Sequence, residues 1–105
     1  MVRSETFRKW ATALFSVSEE PHFEKTSFRV RKRIFATLDE TKRSASLKLS
    51  PVEQSVYISA DPDSFRPATG AWGKQGWTLV DLSCATTGLA KDALEAAYRE
   101  VTERR

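Results

Sequence analysis

Residues 67–82 (PATGAWGKQGWTLVDL) constrain the fold of this chain more than any other stretch. They hold two of the three tryptophans and three of the four glycines of the sequence. Glycine allows turns and close backbone approaches that a Cβ atom forbids, and the indoles offer large flat surfaces. From Trp77 onward the residues alternate, with Leu79 on one face and Val80 on the other. The pattern predicts a strand reached through a tight glycine loop that specifies the fold, with a ligand surface as the alternative.

The composition is that of one globular domain over residues 1–105. Hydrophobic residues make up 40% of the chain and charged residues 30%, which is ordinary for such a domain, and the length allows one core rather than two. No long apolar run is present, so neither a membrane helix nor a secretory signal is expected. The single cysteine, Cys84, excludes an internal disulfide. We expect a monomeric protein of the reducing cytoplasm.

Three segments alternate with the period of two that is typical of antiparallel strands with one solvated face. They are predicted over residues 26–31, 33–38 and 44–49. The first strand places Phe28 and Val30 in the core, and Arg29 and Arg31 on the solvated face. The second strand is expected to alternate without interruption, with one face made of Ile34, Ala36 and Leu38.

Helical spacing predicts three helices around the strands, which gives an α+β domain in the order α-β-β-β-α-β-α. The first helix is predicted over residues 4–17. The second begins at a capping box formed by Ser50 and Glu53, in which each residue bonds the backbone N–H of the other. The last helix is capped by Thr86 or Thr87.

Less regular segments complete the prediction. A short strand is expected near Phe23, one further helical turn over residues 63–66, and fraying of the last helix over residues 103–105. Nine large side chains are expected in the core: Phe7, Trp10, Leu14, Phe28, Val30, Leu47, Leu79, Leu94 and Tyr98.

Four stretches of the chain together resemble the MmcQ/YjbR family of small bacterial proteins. They are residues 70–82, 21–30, 47–51 and 97–101, in the family's order. The resemblance implies a two-layer, frataxin-like (CyaY-like) α+β fold, also described as a double-wing fold, and a DNA-binding label that rests on analogy of shape. Members of the family commonly place a glycine in the turn around Lys32. This chain has none there, so a looser turn is expected.

Basic charge is concentrated between Lys25 and Lys48. This segment holds eight basic and two acidic residues, a net charge of +6, and the rest of the chain holds nine basic and twelve acidic residues, a net charge of −3. Such asymmetry is typical of a phosphate-facing surface, although a solvated hairpin is the alternative. We predict weak, salt-sensitive, low-specificity binding of DNA or another nucleic acid through basic hairpins, with Trp72 available to stack on a base. The residues assigned to this contact are Arg29, Arg31, Lys32, Arg33, Lys42, Arg43, Lys48, Arg66, Trp72 and Lys74.

The sequence offers little for catalysis or for a cofactor. The only histidine, His22, and the only cysteine, Cys84, are far apart in the chain, and a Cys–His nucleophile pair needs them within hydrogen-bond reach. Cys84 is instead expected to be a small, half-buried hydrophobic residue. Neither a cluster of metal ligands nor a P-loop occurs. Frataxin-type iron binding is not expected either, because the first helix lacks the acids on which it relies. We therefore expect no enzymatic activity, no metal and no cofactor.

A non-catalytic binding module is the alternative function. In that case a cleft lined by Phe65, Trp72 and Trp77 would hold a peptide or a small molecule. An exposed Trp72 beside an apolar pocket favours this alternative, whereas a buried Trp72 with Arg29, Arg31, Lys32 and Arg33 exposed on one ridge favours nucleic acid.

Overall fold

A computed structural model describes residues 1–103. It contains four helices and six strands, and the strands form one antiparallel sheet. In chain order they are α1 (Ser4–Ala13), β1 (Ser18–His22), β2 (Lys25–Val30), β3 (Arg33–Asp39), β4 (Ser44–Lys48), α2 (Pro51–Ala60), β5 (Phe65–Pro67), α3 (Ala71–Lys74), β6 (Trp77–Asp81) and α4 (Thr87–Glu103). The predicted α+β class is confirmed. The strand expected near Phe23 is β1, and the expected fraying at residues 104–105 lies outside the described residues.

The six strands lie in the order β1-β2-β3-β4-β6-β5, and every neighbouring pair is antiparallel. The helix α4 packs across β2, β3 and β4, with α1 and α2 beside it. The opposite side of the sheet, here called the open face, is covered by no helix of residues 1–103. It is marked by a row of cross-strand partners: Ser27, Thr37, Ser46, Leu79 and Arg66.

The core lies between the sheet and the helices. The cross-strand partners Phe28, Ala36 and Leu47 are fully buried in its centre, and the Phe7 ring of α1 meets Phe28 edge-on at 6.0 Å. Leu94 of α4 is fully buried on the helix side of this core.

Five of the nine predicted core residues are buried, namely Phe7, Phe28, Val30, Leu47 and Leu94. Trp10, Leu14 and Tyr98 are half-buried at the margin of the core, and α1 ends at Ala13 rather than at residue 17. The prediction for Leu79 is wrong. Leu79 lies on the open face, opposite Ser46, because Thr78 and Val80 occupy the buried face of β6.

The uninterrupted alternation predicted for β3 is also wrong. The register shifts, so that Phe28 faces Ala36 while Arg29 faces Ile34, and Phe35 is the extra residue of a β-bulge. A bulge turns two consecutive side chains toward one side of the sheet. Phe35 and Ala36 are therefore both buried beneath the helices, and the Phe35 ring meets Tyr98 of α4 edge-on at 5.5 Å.

The turn between β2 and β3 is tight rather than loose. Val30 pairs directly with Arg33, so only Arg31 and Lys32 make the connection. Both residues have positive φ angles, 54° for Arg31 and 67° for Lys32. This is the φ pattern of a type I′ turn, which matches the twist of the strands but strongly favours Asn-Gly over side chains of this size. The missing glycine therefore adds strain without lengthening the turn.

The capping prediction for α2 is confirmed. The Ser50 hydroxyl accepts a hydrogen bond from the Glu53 backbone N–H at 3.1 Å, and the Glu53 carboxylate accepts one from the Ser50 N–H at 3.3 Å. The helical turn predicted over residues 63–66 is found one residue earlier and is shorter, because the Ser64 and Phe65 N–H groups both donate to the Asp61 carbonyl oxygen and the strand begins at Phe65. The Asp81 N–H donates to the Ser64 carbonyl oxygen at 2.8 Å, which aligns Phe65 and Arg66 with β6 as the edge strand β5.

The glycine loop makes the close backbone approaches that its sequence predicts. A Cβ atom at Gly76 would lie 1.8 Å from the Leu49 carbonyl oxygen, and one at Gly73 would lie 2.1 Å from the Ala68 carbonyl oxygen. Gly76 also has a φ of +108°, which strains any other residue. Its carbonyl oxygen accepts a hydrogen bond from the Leu49 N–H at 3.2 Å. The loop is thereby fixed to the end of β4.

No helix among residues 1–103 is both long and apolar enough to cross a membrane.

Two glycine substitutions test this description of the loop. Gly76→Ala is expected to lower the free energy of unfolding by about 2 kcal/mol or more, because the methyl group collides with the Leu49 carbonyl and the φ angle is strained. Gly88→Ala is the matched control, since a Cβ there meets no atom within 4 Å. It is expected to stabilise α4 by up to about 1 kcal/mol. Urea denaturation measures both, and equal effects of the two substitutions would refute the close approach.

Candidate nucleic-acid interface

The residues predicted to bind nucleic acid lie at two opposite ends of the sheet. The strand β3 runs from Arg33 to Asp39, a distance of about 20 Å. The turn of Arg31 and Lys32 precedes its first residue, and the turn that contains Lys42 follows its last. The ten predicted residues therefore do not form one continuous basic surface.

We call the first of these regions the Trp72 end. It comprises Arg31, Lys32, Arg33, Lys48, Trp72 and Lys74. Its parts are joined by contacts between chain-distant residues: the Lys48 ammonium donates at 2.7 Å to the carbonyl oxygen of Gln75, which directly follows α3. Arg33 and Lys48 also line a shared groove with Trp77. The hairpin and the glycine loop thus meet at this end.

The side chains of the Trp72 end fall into two groups. Arg33 and Lys48 donate to backbone carbonyl oxygens, Arg33 to that of Val101 at 3.4 Å. Arg31, Lys32 and Lys74 are exposed, and none of them makes a side-chain hydrogen bond or ion pair within residues 1–103. The first group holds the surface together, and the second offers three charges to solvent.

Trp72 is exposed on an anchored loop. Its side chain is 63% exposed, although it belongs to the short helix α3 within the glycine loop. The Gln54 side chain of α2 donates to the carbonyl oxygens of Gly73 and Trp77, each at 3.0 Å. These bonds, with the close approach of Gly76, fix the backbone that follows Trp72. The backbone before it is fixed by the Ala68 N–H, which donates to the Trp77 carbonyl oxygen at 2.9 Å. A large aromatic ring is therefore held in solvent by a well-supported backbone.

Arg29 contributes less than predicted. It lies on the open face, as its alternation indicates, but it is half-buried. Its Nε donates to the Ser27 hydroxyl at 3.1 Å and lies 3.8 Å from the Glu20 carboxylate. Arg31 lies in the turn rather than beside Arg29 on the sheet. The ion pair with Glu20 leaves Arg29 with little free charge for a partner.

The opposite region, here called the Asp81 end, has mixed charge. It holds the predicted residues Lys42, Arg43 and Arg66, together with Lys25, Asp39, Asp63 and Asp81. Arg43 is half-buried, and its guanidinium reaches the Val2 carbonyl oxygen at 3.5 Å. Carboxylates and cations alternate here, so the field that the basic residues would exert on a polyanion is reduced.

The pKa of the Asp81 carboxyl is lowered from its usual value. The main cause is the hydrogen bond from the Ser83 hydroxyl at 2.5 Å, followed by the Ser83 N–H at 2.9 Å, and the charge of Arg66 acts in the same direction. The Cys84 thiol also donates to this carboxylate at 3.4 Å. Cys84 is exposed rather than half-buried, which corrects the prediction.

The geometry does not assemble a catalytic pair. His22 ends β1, and its ring meets the exposed Phe23 edge-on at 4.9 Å. Cys84 follows β6, and β1 and β6 are four strand spacings apart, or about 19 Å. Within residues 1–103, no three His, Cys, Asp or Glu side chains lie close enough to share a metal ion.

The cleft expected from Phe65, Trp72 and Trp77 does not form. Phe65 is buried on the helix side of the sheet and stacks on Tyr57 at 5.5 Å. Trp77 is half-buried on the open side, in the groove of Lys48. The alternation of β6 separates the rings, because Phe65 is the partner of Val80, which faces the core.

A family model that covers most of the chain shows which family the protein belongs to. The YjbR family model matches residues 12–100. The chain belongs to the YjbR family. It is also similar to the crystal structure of Deinococcus radiodurans protein DR2400, which contains a DUF419 domain, with a TM-score of 0.86 and 26% identity over 99% of this chain and 81% of that one. No curated protein matches it significantly.

One feature of this YjbR-family protein was missed by the sequence analysis. Lys25, Lys42, Ser64 and Arg66 line a groove on the open face at the Asp81 end. Lys25 on β2 and Arg66 on β5 are four strand spacings apart, about 19 Å. Both line one groove because β3, β4 and β6 lie between them in the sheet. No local motif marks such a convergence.

The lowered pKa of Asp81 predicts a pH dependence of stability. A carboxyl group whose folded pKa is depressed stabilises the fold above its unfolded pKa, and this contribution is lost as the pH falls through the folded value. Asp81→Asn is therefore expected to lower the free energy of unfolding near pH 7 by about 0.5–1 kcal/mol, since the group is exposed. The difference from the wild-type protein should shrink as the pH falls below the ordinary pKa of an aspartate and vanish only below the lowered folded pKa.

Urea denaturation across this pH range measures the effect. Asp63→Asn is the control, because the Asp63 carboxylate makes no hydrogen bond within residues 1–103. A difference between wild type and Asp81→Asn that stays constant with pH would contradict the role given to the Ser83 hydrogen bonds.

Proposed function

We propose that this YjbR-family protein is a non-catalytic protein that binds nucleic acid weakly, and with little sequence preference, through its Trp72 end. The observation that carries the proposal is the turn between β2 and β3. Two cationic residues, Arg31 and Lys32, occupy positions with φ angles of 54° and 67°. Backbone strain of this kind is costly and clusters at functional sites.

The strain has a simple physical interpretation. Asn-Gly would form the same two-residue turn at lower energy. What Arg31 and Lys32 supply instead is two positive charges at the tip of a hairpin, with no carboxylate partner among residues 1–103. Free cations on a protruding turn can approach phosphate groups and release their counterions, which is the main source of sequence-independent affinity.

Trp72 and Lys74 extend this surface. The indole is mostly exposed on a loop whose backbone is anchored by Gln54, so little ordering is needed when a base stacks on it. Lys74, two residues away, adds a charge for the adjoining phosphate. This combination of an aromatic platform and nearby cations suits a single strand better than a duplex.

The proposed binding is weak and unselective for structural reasons. The helices α1, α2 and α4 all pack on the side of the sheet away from the open face, and none of them projects as a recognition helix would. Contacts to phosphate position a protein on nucleic acid but read no sequence. Three free cations also correspond to only a few phosphate contacts.

The double variant Arg31→Asn/Lys32→Gly separates binding from folding. It is expected to unfold at a higher urea concentration, because the turn loses its strain. Its affinity for a fluorescein-labelled single-stranded oligonucleotide should fall, and the slope of log K against log salt should decrease by about 1.4, since two phosphate contacts are lost at about 0.7 each on a single strand. Fluorescence anisotropy at several salt concentrations measures the binding.

The matched control is Lys9→Asn/Lys91→Asn, which removes the same charge from exposed positions on α1 and α4. Its affinity should remain close to that of the wild-type protein. Equal losses in both double variants would mean that net charge alone drives binding, and no binding by the wild-type protein at low salt would refute the proposal.

Trp72→Ala tests the stacking contact separately. The loss of one stacked base is expected to weaken single-strand binding by about 1–3 kcal/mol, with a smaller effect on a duplex of equal length. The salt slope should stay unchanged because no charge is removed. The fold should be preserved, since the side chain lies mostly in solvent. An unchanged affinity for the single strand would exclude a role for the indole.

A further inference from the structure

The groove at the Asp81 end is a second candidate site, on the open face and at the end of the sheet opposite Trp72. Its volume is about 330 Å³, which is within the range of small-ligand pockets. Lys25 at the start of β2, Lys42 in the β3–β4 turn and Arg66 on the edge strand β5 surround it. Ser44 and Leu79 lie between them on the sheet.

The hydrogen-bond donors of this groove are unused. The side chains of Lys25, Lys42 and Arg66 make no hydrogen bond or ion pair within residues 1–103, although Arg66 acts on Asp81 through its charge. Three cationic groups around one cavity therefore lack direct partners. Uncompensated donors that converge on a cavity indicate a ligand that accepts hydrogen bonds.

Of the three carboxylates that line the groove, Asp39 and Asp81 are partly occupied, whereas Asp63 makes no side-chain hydrogen bond or ion pair within residues 1–103. Asp39 accepts a hydrogen bond from the Lys42 N–H at 3.2 Å. Asp81 accepts three hydrogen bonds, from the Ser83 N–H, the Ser83 hydroxyl and the Cys84 thiol. These acidic groups have less capacity left to pair with the cations, but their charge still repels a long polyanion. The groove consequently favours a small anion over a nucleic-acid strand.

Ser64 is an independent sign of a missing partner. The residue is only 4% exposed, it lines the groove, and its hydroxyl oxygen is buried without a hydrogen-bond partner. Its backbone is fixed, because the N–H donates to the Asp61 carbonyl oxygen at 3.1 Å and the carbonyl accepts from the Asp81 N–H at 2.8 Å. A buried hydroxyl without a partner destabilises a protein. A ligand oxygen in the groove would satisfy it.

We infer that the groove binds a small anionic molecule through a carboxylate or phosphate group. Arg66 and Ser64, which are two residues apart on one side of the groove, contact the anionic group. Lys25 and Lys42 line the rest of the groove and add positive charge. The guanidinium of Arg66 is able to hold either group with two parallel hydrogen bonds. This site is independent of the proposed nucleic-acid surface, which lies about 20 Å away along β3.

Titration with inorganic phosphate, and separately with succinate, tests the inference at constant ionic strength. Amide chemical shifts report the site, and isothermal calorimetry reports the affinity. Saturable shifts are expected at Ser44, Ser64, Arg66 and Asp81. A response to phosphate alone identifies a phosphate ligand, and a response to succinate alone identifies a carboxylate ligand. Shifts from neither anion, or shifts spread evenly over all basic residues, would overturn the inference.

Two variants link the shifts to the groove. Arg66→Gln should weaken anion binding tenfold or more, the loss expected for a charge-assisted pair. Ser64→Ala should weaken it several-fold while raising the stability of the ligand-free protein, because a buried unpaired hydroxyl is removed. Lys91→Gln on the outer side of α4 is the control and should bind as the wild type does. Unchanged affinity in both groove variants would overturn the assignment.

This experiment succeeds or fails independently of the nucleic-acid proposal. Its probes are anions without bases, and its signals come from residues at the Asp81 end. If the protein binds phosphate at this groove but binds no oligonucleotide, the anion site is supported and only the nucleic-acid proposal is refuted.

Discussion

The close approach of the Gly76 backbone to Leu49 is the contact on which the surface architecture depends. A Cβ atom at Gly76 would lie 1.8 Å from the Leu49 carbonyl oxygen, so only glycine lets the loop reach the end of β4. There the Leu49 N–H bonds the Gly76 carbonyl, and Gln54 of the next helix bonds the loop on either side of Lys74. The same junction places the capping box of α2, the start of β6 and the exposed Trp72 next to one another. The rigidity of the candidate interface therefore originates in a backbone contact rather than in side-chain packing.

The length of β3 determines how the basic charge is distributed. It separates the Arg31–Lys32 turn from Lys42 by about 20 Å, and it divides a basic segment of sequence into two surfaces with different chemistry. At the Trp72 end the free cations stand beside an exposed indole, which suits a flexible polyanion. At the Asp81 end the cations surround a groove that also holds the buried Ser64 hydroxyl and the hydrogen-bonded carboxylates of Asp39 and Asp81, which suits a small anion. One stretch of basic residues thus supports two binding proposals.

The sequence predicts well whatever depends on local physics. The capping box at Ser50 and the need for glycine at Gly76 follow from neighbouring residues, and the α+β class follows from hydrophobic spacing. Features that depend on pairing are missed. The bulge at Phe35 exists because β2 and β3 shift register, and Leu79 faces the open side because Val80 takes the buried one. The groove around Ser64 is missed for the same reason, since its walls come from strands far apart in the chain. The tight Arg31–Lys32 turn is not predicted either, because residue preference alone requires glycine there. Strand pairing between Val30 and Arg33 closes the turn despite the strain of two positive φ angles.

Free charge and an exposed aromatic ring are the two features from which nucleic-acid binding at the Trp72 end is proposed. An amide and indole chemical-shift titration with a short mixed-sequence oligonucleotide, at about 50 mM and about 200 mM salt, tests it most directly. Shifts are expected at Arg31, Lys32, Lys74 and the Trp72 indole, and they should shrink steeply at the higher salt concentration, with little change at Lys42 and Arg43. No shifts at the lower salt concentration, or shifts centred on Lys42 and Arg43, would contradict it.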